Sequence, residues 1–380
     1  GIFLWNARLK KGELIHMYNH EFYLKIFREF EVDDTPETFE PCNIGHINTT
    51  LMVRCDGQIK YVLQKINTSI FKKPAELIEN ILNVTDFIKK KVLAAGGDPT
   101  REVLRLIPTR DGTFYTTDAD GCVWRMYYFI IGAKTFQTAE TPELFYNSAL
   151  AFGKFQRMLS DFPADKLHET IPNFHNTVSR FADFKKALAD DVAGRADSVR
   201  EEVQFLLDHE GICSYITDRI ASGEYPLRVT HNDTKLNNVM IDEKTFKAVC
   251  VIDLDTVMPG SVLYDFGDSI RFGASNADED ERDLSKVFMR LDLFEDYTRG
   301  FIAGLENSLT DAEILGLPMG AIIITFETGI RFLADHLNGD TYFAVHRENQ
   351  NLDRARTQLK LVSDMEKKLP EMNEIIKKYL

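Results

Sequence analysis

The sequence predicts an α+β protein in which a small β-rich lobe precedes a large, mostly helical lobe. Short alternating runs separated by Asp-Gly turns occupy residues 43–131, and long amphipathic segments follow Gly132. A length of 380 residues allows two or three domains at about 150 residues each. We therefore expect a β-rich domain at 1–131, a helical domain at 132–380, and a ligand site in the cleft between them.

The β-rich domain is predicted to contain five strands and one helix. The expected strands are 50–55, 60–66, 103–108, 113–117 and 122–130. Asp56-Gly57 separates the first two strands and is typical of a tight hairpin turn. A helix should begin at Pro74, because apolar residues recur at three- and four-residue steps from there until Gly96.

The helical domain is predicted from six long segments with one apolar face each. The expected helices are 142–160, 176–189, 196–221, 280–305, 313–337 and 352–368. One stretch interrupts them: between Arg228 and Asp253 short apolar runs alternate with polar loops. The residues with the clearest chemistry lie in that stretch.

Composition excludes several classes of partner. Lys and Arg number 45 against 59 Asp and Glu, which gives a formal charge of −14. Such a field repels nucleic acid and anionic lipid, so we expect a small-molecule ligand, no nucleic acid and no membrane. We also expect a monomer. Five scattered cysteines without a C-x-x-C pair favour a reducing cytoplasm over a disulfide or zinc framework. The longest uncharged apolar run, 314–326, is shorter than the roughly 20 residues of a membrane helix.

The most informative motif lies at residues 231–238, which match the pattern H-x-D-x-x-x-x-N. In phosphoryl transfer the Asp of this pattern meets the attacking hydroxyl, and the Asn five residues later holds a metal ion. These roles fall on Asp233 and Asn238, and Lys235 is placed to offer a cation to the γ-phosphate. Three fixed residues are a weak signal alone, so the neighbouring sequence has to decide.

The neighbouring sequence predicts a β-hairpin that completes a magnesium site. Apolar runs at 239–241 and 248–252 flank a polar turn, and pairing Val239 with Ile252 sets Asn238 beside Asp253. Opposed residues of an antiparallel pair are about 5 Å apart. Mg²⁺ prefers one or two protein oxygen ligands together with phosphate oxygens and water. We therefore expect Mg²⁺ with the phosphates of a nucleotide at Asn238 and Asp253.

The β-rich domain should contribute the nucleotide contacts. If strand 60–66 alternates, Leu63 and Lys65 share a face, with Leu63 over an adenine and Lys65 toward the α- and β-phosphates. Glu79 is preferred to Glu76 as the carboxylate on the following helix that holds Lys65 extended. A phosphate-covering loop is expected before the first hairpin, where Gly45 is its single glycine.

Ordinary structural roles compete with several of these assignments. A carboxylate that ends a strand, such as Asp253 or Asp255, is most often a turn or helix cap. A single strand lysine such as Lys65 is often solvated surface. For His231 the structural role is the expected one, since backbone hydrogen bonds that brace the loop suit it better than proton transfer.

The sequence resembles the kinase-like small-molecule phosphotransferases, a family that includes aminoglycoside phosphotransferases and choline kinases. The likeness covers residues 43–358 and is strongest to members that phosphorylate N-acetylhexosamines at the anomeric hydroxyl. Its blocks are 45–48, 63–67, 169–172, 174–177, 231–238, 252–260, 264–268, 331–333, 339–340, 342–343, 351–352 and 354–358. Thr49 and Lys65 depart from the pattern, which has Asp at the first position and commonly Arg at the second.

The resemblance implies a protein-kinase-like two-lobe fold, ATP, Mg²⁺ and a sugar acceptor, with Asp233 as the base. It points to His46, Phe272, Arg331 and Tyr342 as contacts to the sugar. These residue types suit that role, because an aromatic face packs on a pyranose and an arginine donates paired hydrogen bonds to hydroxyl or acetamide oxygens.

Two other functions remain open from the sequence. A kinase for a cationic acceptor, of the aminoglycoside or choline type, should collect carboxylates in its acceptor pocket, whereas the blocks at 169–177 and 331–356 are mixed or basic. An inactive kinase-like binding module typically lacks the base or a metal ligand, and here all three residues are present. Arg331 itself either faces the cleft or pairs with a carboxylate such as Asp335.

Overall fold

The computed structural model describes residues 20–42 and 47–380, which group into two units of the chain. The sheet unit extends to Lys134 and also includes residues 240–255, and the helical unit comprises 135–239 and 256–380. The sequence analysis assigned everything after 131 to the helical domain. The difference arises because Ala133 and Lys134 form a short strand that pairs with residues 241–242.

A five-stranded antiparallel sheet organises the sheet unit, as predicted. Its strands are β1 (Thr38–Cys42), β2 (Thr49–Cys55), β3 (Gln58–Lys65), β4 (Thr116–Thr117) and β5 (Val123–Tyr128), in the order β1-β2-β3-β5-β4. Asp56 and Gly57 both have positive φ, which the predicted hairpin turn requires. Helix α1 (His20–Phe27) covers one sheet face and closes an aromatic core around Phe27, Trp124 and Met126.

Two strand assignments differ from the prediction. Residues 103–108 are not a strand, because they contribute only the single bridge from Leu106 to Tyr127 on the β4 side of β5. The fifth strand is β1, which lies before the segment in which strands were expected. The predicted helix is present as α2 (Pro74–Ala94), and it is followed by the single turn α3 (Pro99–Glu102).

The predicted hairpin after the catalytic motif forms within a small sheet. Its strands are β6 (Ala133–Lys134), β8 (Val239–Asp242) and β9 (Ala248–Val251), in the order β6-β8-β9. Because β9 ends at Val251, the expected partner of Val239, Ile252, lies outside the strand. Arg101 of α3 donates to Asp242 at 2.9 Å and joins this sheet to the rest of the sheet unit.

The helical unit is built around one long apolar helix. Its helices are α4 (Pro142–Met158), α5 (Thr177–Asp190), α6 (Arg200–Asp208), α7 (Tyr215–Ser222), α8 (Val262–Gly273), α9 (Leu291–Leu305), α10 (Asp311–Leu337) and α11 (Gln350–Lys377). Helix α10 packs against α5, α8 and α11. It is long and apolar enough to cross a membrane, yet 83% of its most apolar window is buried inside the protein. Strands β7 (Arg228–Thr230) and β10 (Met258–Gly260) pair antiparallel.

Helix α8 was not predicted: it is only 12 residues long, and its polar residues, among them Asp265, Asp268 and Arg271, are buried together with its apolar ones. It approaches α10 closely at Gly267, where an added Cβ would lie 2.4 Å from the backbone oxygen of Gly320. Two predicted helices are also shorter than expected. The segment 196–221 breaks around Gly211 into α6 and α7, and the segment 280–305 becomes helical only at Leu291.

Candidate active site

The catalytic loop, residues 231–238, is held by a buried carboxylate on α8. Asp265 is fully buried, and its two oxygens accept the backbone N–H groups of His231 at 2.9 Å and Asn232 at 2.7 Å. Burial raises the pKa of Asp265, and these donors act in the opposite direction. Because the bonds are made by main-chain groups, they fix the path of the loop rather than one side chain.

A second set of bonds fixes the loop on the other side of Asp233. Thr234 donates its N–H to Asp268 at 3.1 Å and its hydroxyl to the backbone oxygen of Asp265 at 2.6 Å. His231 Nδ1 lies 3.2 Å from the backbone nitrogen of Asp233, so His231 braces the loop as the sequence analysis expected. The backbone on either side of Asp233 is therefore fixed by buried partners.

The structure brings Asp233, Lys235 and Asn238 together. Lys235 Nζ lies 3.4 Å from Asp233 Oδ1, and a quarter of the Asp233 side chain is exposed. Asn238 donates Nδ2 to the backbone oxygen of Asp233 at 2.8 Å and to Asp233 Oδ2 at 3.2 Å. Since Nδ2 makes both bonds, Oδ1 of Asn238 is the atom that suits a metal ion.

Asp253 belongs to the sheet unit, whereas Asn238 belongs to the helical unit. Asp253 is exposed just after β9 and has a φ of 58°. Its carboxylate and the Asn238 carbonyl are oxygen ligands of the kind Mg²⁺ prefers, so the donor types fit that ion. Across residues 20–42 and 47–380, no three His, Cys, Asp or Glu side chains group to hold a metal.

Sequence reasoning missed a buried network around Asp255 in the sheet unit. Arg125 of β5 forms a two-pronged ion pair with Asp255, at 2.6 and 2.7 Å, and both side chains are nearly fully buried. Asn48 donates to the same carboxylate at 2.6 Å and accepts the backbone N–H of Asn67 at 2.9 Å. Burial lowers the pKa of Arg125, but the Asp255 carboxylate raises it, and the net direction is upward. The network fixes the segment two residues beyond Asp253.

The predicted nucleotide contacts are only partly placed. Lys65 is the last residue of β3 and is half-buried. Leu63 is a correction: it is fully buried in the aromatic core of the sheet unit, and a side chain without exposed surface cannot cover a base. Glu79 is exposed on α2, and its pairing with Lys65 stays a prediction. Gly45 and His46 lie outside the described residues.

Two predicted sugar contacts meet in an arginine-aromatic cluster, which we define as Arg180, Arg331, Phe174, Tyr342 and Phe343. The Arg331 guanidinium lies 5.4 to 5.8 Å from the centroids of the three rings. Arg180 donates to the backbone oxygen of Phe174 at 3.1 Å, and burial together with the Arg331 charge lowers its pKa. Half of the Tyr342 surface is exposed, so the cluster is open to a ligand.

Asp335, the carboxylate considered as the alternative partner of Arg331, accepts hydrogen bonds from other groups. Asp335 accepts the backbone N–H groups of residues 341–343 at 2.8 to 2.9 Å and the side chain of Asn351 at 2.9 Å. These bonds hold the segment that carries Tyr342 against α10. Phe272, the remaining predicted sugar contact, is half-buried near the end of α8 beside the guanidinium of Arg271.

The fold is protein-kinase-like, with a five-stranded antiparallel sheet in one unit and a largely helical second unit, and solved phosphotransferases share it. A microcompartment-associated aminopropanol kinase is 16% identical, with a TM-score of 0.56, over 93% of this chain and 99% of its own. An aminoglycoside phosphotransferase from Alicyclobacillus acidocaldarius subsp. acidocaldarius is 11% identical, with a TM-score of 0.58, over 93% and 96%. The amicoumacin kinase hAmiN, solved with AMP-PNP and Ca²⁺, is 13% identical, with a TM-score of 0.56, over 92% and 96%.

Family membership rests on a separate match. The model of the phosphotransferase enzyme family (APH) matches residues 38–298, which include the catalytic loop and the Asp253 segment. The chain belongs to this family of small-molecule phosphotransferases.

Proposed function

We propose that this protein is a sugar 1-kinase of the N-acetylhexosamine 1-kinase type. It transfers the γ-phosphoryl group of ATP to the anomeric hydroxyl of N-acetylglucosamine or N-acetylgalactosamine and works in the cytoplasm. The observation that carries the proposal is the arginine-aromatic cluster. Two guanidinium groups repel a cationic acceptor, whereas guanidinium donors and aromatic faces suit a neutral polyol with an acetamide group.

The proposed chemistry assigns one role to each residue of the catalytic loop. Asp233 orients the acceptor hydroxyl and takes its proton as the hydroxyl oxygen bonds to the γ-phosphorus and the bond to the ADP oxygen breaks. Lys235, 3.4 Å from Asp233, offers positive charge to the transferring group. Asn238 and Asp253 are the proposed Mg²⁺ ligands, and Lys65 is the proposed partner of the α- and β-phosphates. When bound, the metal neutralises charge on the phosphate oxygens.

A kinase for a cationic acceptor is the second candidate. It is favoured by the names of the similar structures, which include an aminopropanol kinase and an aminoglycoside phosphotransferase. At 11 to 16% identity these likenesses concern the fold, and acceptor choice depends on the site rather than the fold.

An ADP-release assay with Mg-ATP distinguishes the candidates. The acceptor panel contains N-acetylglucosamine, N-acetylgalactosamine, unmodified hexoses, aminopropanol, choline and kanamycin. We expect turnover with the N-acetylhexosamines and a product phosphorylated at C1, identified by its ³¹P–¹H coupling. Turnover confined to the amines would overturn the sugar assignment, and the absence of turnover with every acceptor would favour a binding module.

A further inference from the structure

The segment 174–177 contributes Phe174 to the arginine-aromatic cluster and also contacts the catalytic loop. Phe174 contacts Arg331 of the cluster, and the neighbouring His175 places Nε2 3.2 Å from the backbone oxygen of Asn232. Asn176 caps α5 by accepting the N–H of Ser179 at 3.1 Å, which fixes the direction in which the segment enters the helix. The segment therefore joins the proposed acceptor contacts to the residue before Asp233.

Both partners of the His175 ring are hydrogen-bond acceptors. Nδ1 lies 2.8 Å from Glu327 Oε1, and Nε2 faces the carbonyl of Asn232. A neutral imidazole has one N–H, so only the doubly protonated ring can donate to both partners. Glu327 is fully buried on α10, and the hydroxyl of Thr177 donates to its other oxygen at 2.7 Å. Burial raises the pKa of Glu327, but His175 and Arg331 lower it, and the net direction is downward, which keeps the carboxylate charged.

The bond to Asn232 acts on the peptide group that precedes Asp233. The oxygen of that peptide faces His175 Nε2, and its N–H, on Asp233, faces His231 Nδ1 at 3.2 Å. Both ends of one peptide plane are thus held by imidazole rings. Asn232 has a φ of 68°, a left-handed conformation that needs such support in a residue other than glycine.

We propose that His175, held between Glu327 and the Asn232 carbonyl, is a positioning residue that holds the Asn232–Asp233 peptide plane and so directs the Asp233 carboxylate. The inference rests on the proposed role of Asp233 but not on the identity of the acceptor. The other groups around the pair are Tyr264 of α8, whose ring centroid lies 5.1 Å from that of His175, and the guanidinium groups of Arg331 and Arg180. Because Phe174 precedes His175, a ligand seated on the cluster lies one residue from the group that orients the base.

Two substitutions separate positioning from packing. The amide nitrogen of Gln in His175→Gln can occupy the place of Nε2 and donate to Asn232, whereas Leu in His175→Leu fills the space and donates nothing. We expect His175→Leu to lower kcat about 10- to 100-fold with little change in the KM of ATP, since a small misplacement of a reacting group has effects of this size. His175→Gln should keep kcat within about fivefold of the wild type.

His209→Leu is the matched control. His209 also bonds through both ring nitrogens, to the backbone oxygen of Phe205 at 2.8 Å and to Glu366 at 3.1 Å, and its ring stacks on Phe205. We expect His209→Leu to keep wild-type kcat. If His175→Leu also keeps it, or if His175→Gln and His175→Leu are equally slow, the proposal is overturned. Asp233→Asn is assayed alongside, since retained turnover there contradicts the proposed function instead.

The protons on the ring nitrogens give a readout that needs no acceptor and no folded variant at position 175. In the ¹⁵N spectrum of histidine-labelled wild-type protein, the ring whose signals change in Glu327→Gln should carry a proton on Nε2, the atom that faces the Asn232 carbonyl. If the ring that responds to Glu327→Gln carries no proton on Nε2, the proposal is overturned whatever the kinetics show.

Discussion

Asp233 is held through the backbone on both sides of it and through the contacts of its carboxylate with Lys235 and Asn238, and a quarter of its side chain remains exposed. The N–H groups of its two neighbours donate to Asp265 and Asp268, and its own N–H donates to His231 Nδ1, all within the helical unit. A group proposed to take a proton from the acceptor benefits from a fixed position and an exposed edge. The bonds of Lys235 and Asn238 to Asp233 show that its side chain already lies among groups of the expected type.

Asp233→Asn is expected to lower kcat about 100- to 10,000-fold, the range associated with loss of general base catalysis. The Kd for ATP should stay close to that of the wild type, because the base acts on the acceptor. Kinetics with the identified acceptor and calorimetry with AMP-PNP measure the two effects. Asp197→Asn is the control, since Asp197 is highly exposed in the same unit. Near-normal turnover of Asp233→Asn would remove Asp233 from the mechanism.

Arg331→Gln is expected to raise the KM of the acceptor about 10- to 100-fold, which corresponds to the loss of one or two charge-assisted hydrogen bonds. The KM of ATP should change little. Arg299→Gln is a matched control, because Arg299 lies 4.3 Å from the ring centroid of Tyr146 elsewhere in the helical unit. An unchanged acceptor KM in Arg331→Gln, or an equal rise in Arg299→Gln, would contradict the placement of the acceptor on the cluster.

Helices and strands whose ends carry turn or cap residues could be predicted from the sequence. Elements that are recognisable only by their burial in the fold could not. Helix α2 has Pro74 at its start and glycines after its end, and the β2–β3 turn has Asp56-Gly57, so both could be assigned. Helix α8 is short, and its polar residues are buried, so nothing in the sequence distinguished it as a helix, although it carries the two carboxylates that hold the catalytic loop.

The missed site residues share a recognisable sequence feature. Arg125 lies in the strand Val123–Tyr128 and Glu327 in the apolar helix α10, so each is a charge inside an otherwise apolar element. Such a charge predicts a buried partner but does not say which, because the partners, Asp255 and His175, lie 130 and 152 residues away. The grouping of Asp233, Lys235 and Asn238 was predictable because these residues are close in sequence, and their catalytic roles stay a prediction.

The sheet unit should depend strongly on the ion pair between β5 and the Asp255 segment. Asp255→Asn leaves Arg125 buried without a full counter-charge and is expected to cost about 3–5 kcal/mol in the free energy of unfolding. The double variant Arg125→Met/Asp255→Leu should recover part of that loss. Urea denaturation measures both.

The exposed pair of Arg54 with Glu40, at 2.8 Å, is the control in the same sheet. Glu40→Gln is expected to have little effect, since exposed ion pairs contribute little to stability. An Asp255→Asn protein as stable as the wild type would show that the buried pair is not what holds the segment.

At the scale of the whole molecule, the net charge of −14 makes nucleotide binding dependent on a few local cations and on metal. Lys65 and Lys235 are the proposed cations of the two units. ATP alone would add up to four further negative charges to a chain that already has an excess of carboxylates. A divalent ion that arrives with the nucleotide therefore reduces the repulsion between the protein and the phosphates.

Mg-ATP is expected to raise the thermal midpoint, by an amount equivalent to about 2.7 kcal/mol when its concentration is 100 times Kd. EDTA should remove most of this shift, and Asp253→Asn should reduce it through loss of a metal ligand. Asp33→Asn is the control, because Asp33 is a fully exposed carboxylate of the sheet unit. Differential scanning fluorimetry measures the shifts, and an equal Mg-ATP effect in Asp253→Asn and the wild type would contradict the metal role of Asp253.

The close approach of Gly267 to Gly320 makes the catalytic loop sensitive to a position that touches neither substrate. Any larger residue at 267 would push α8 away from α10. Asp265 and Asp268, the two α8 carboxylates on which the loop depends, would move with the helix. In a saturation mutagenesis screen, Gly267 should therefore tolerate as few substitutions as the reacting residues themselves. Inactive alleles found there would report on the spacing of helices, not on chemistry.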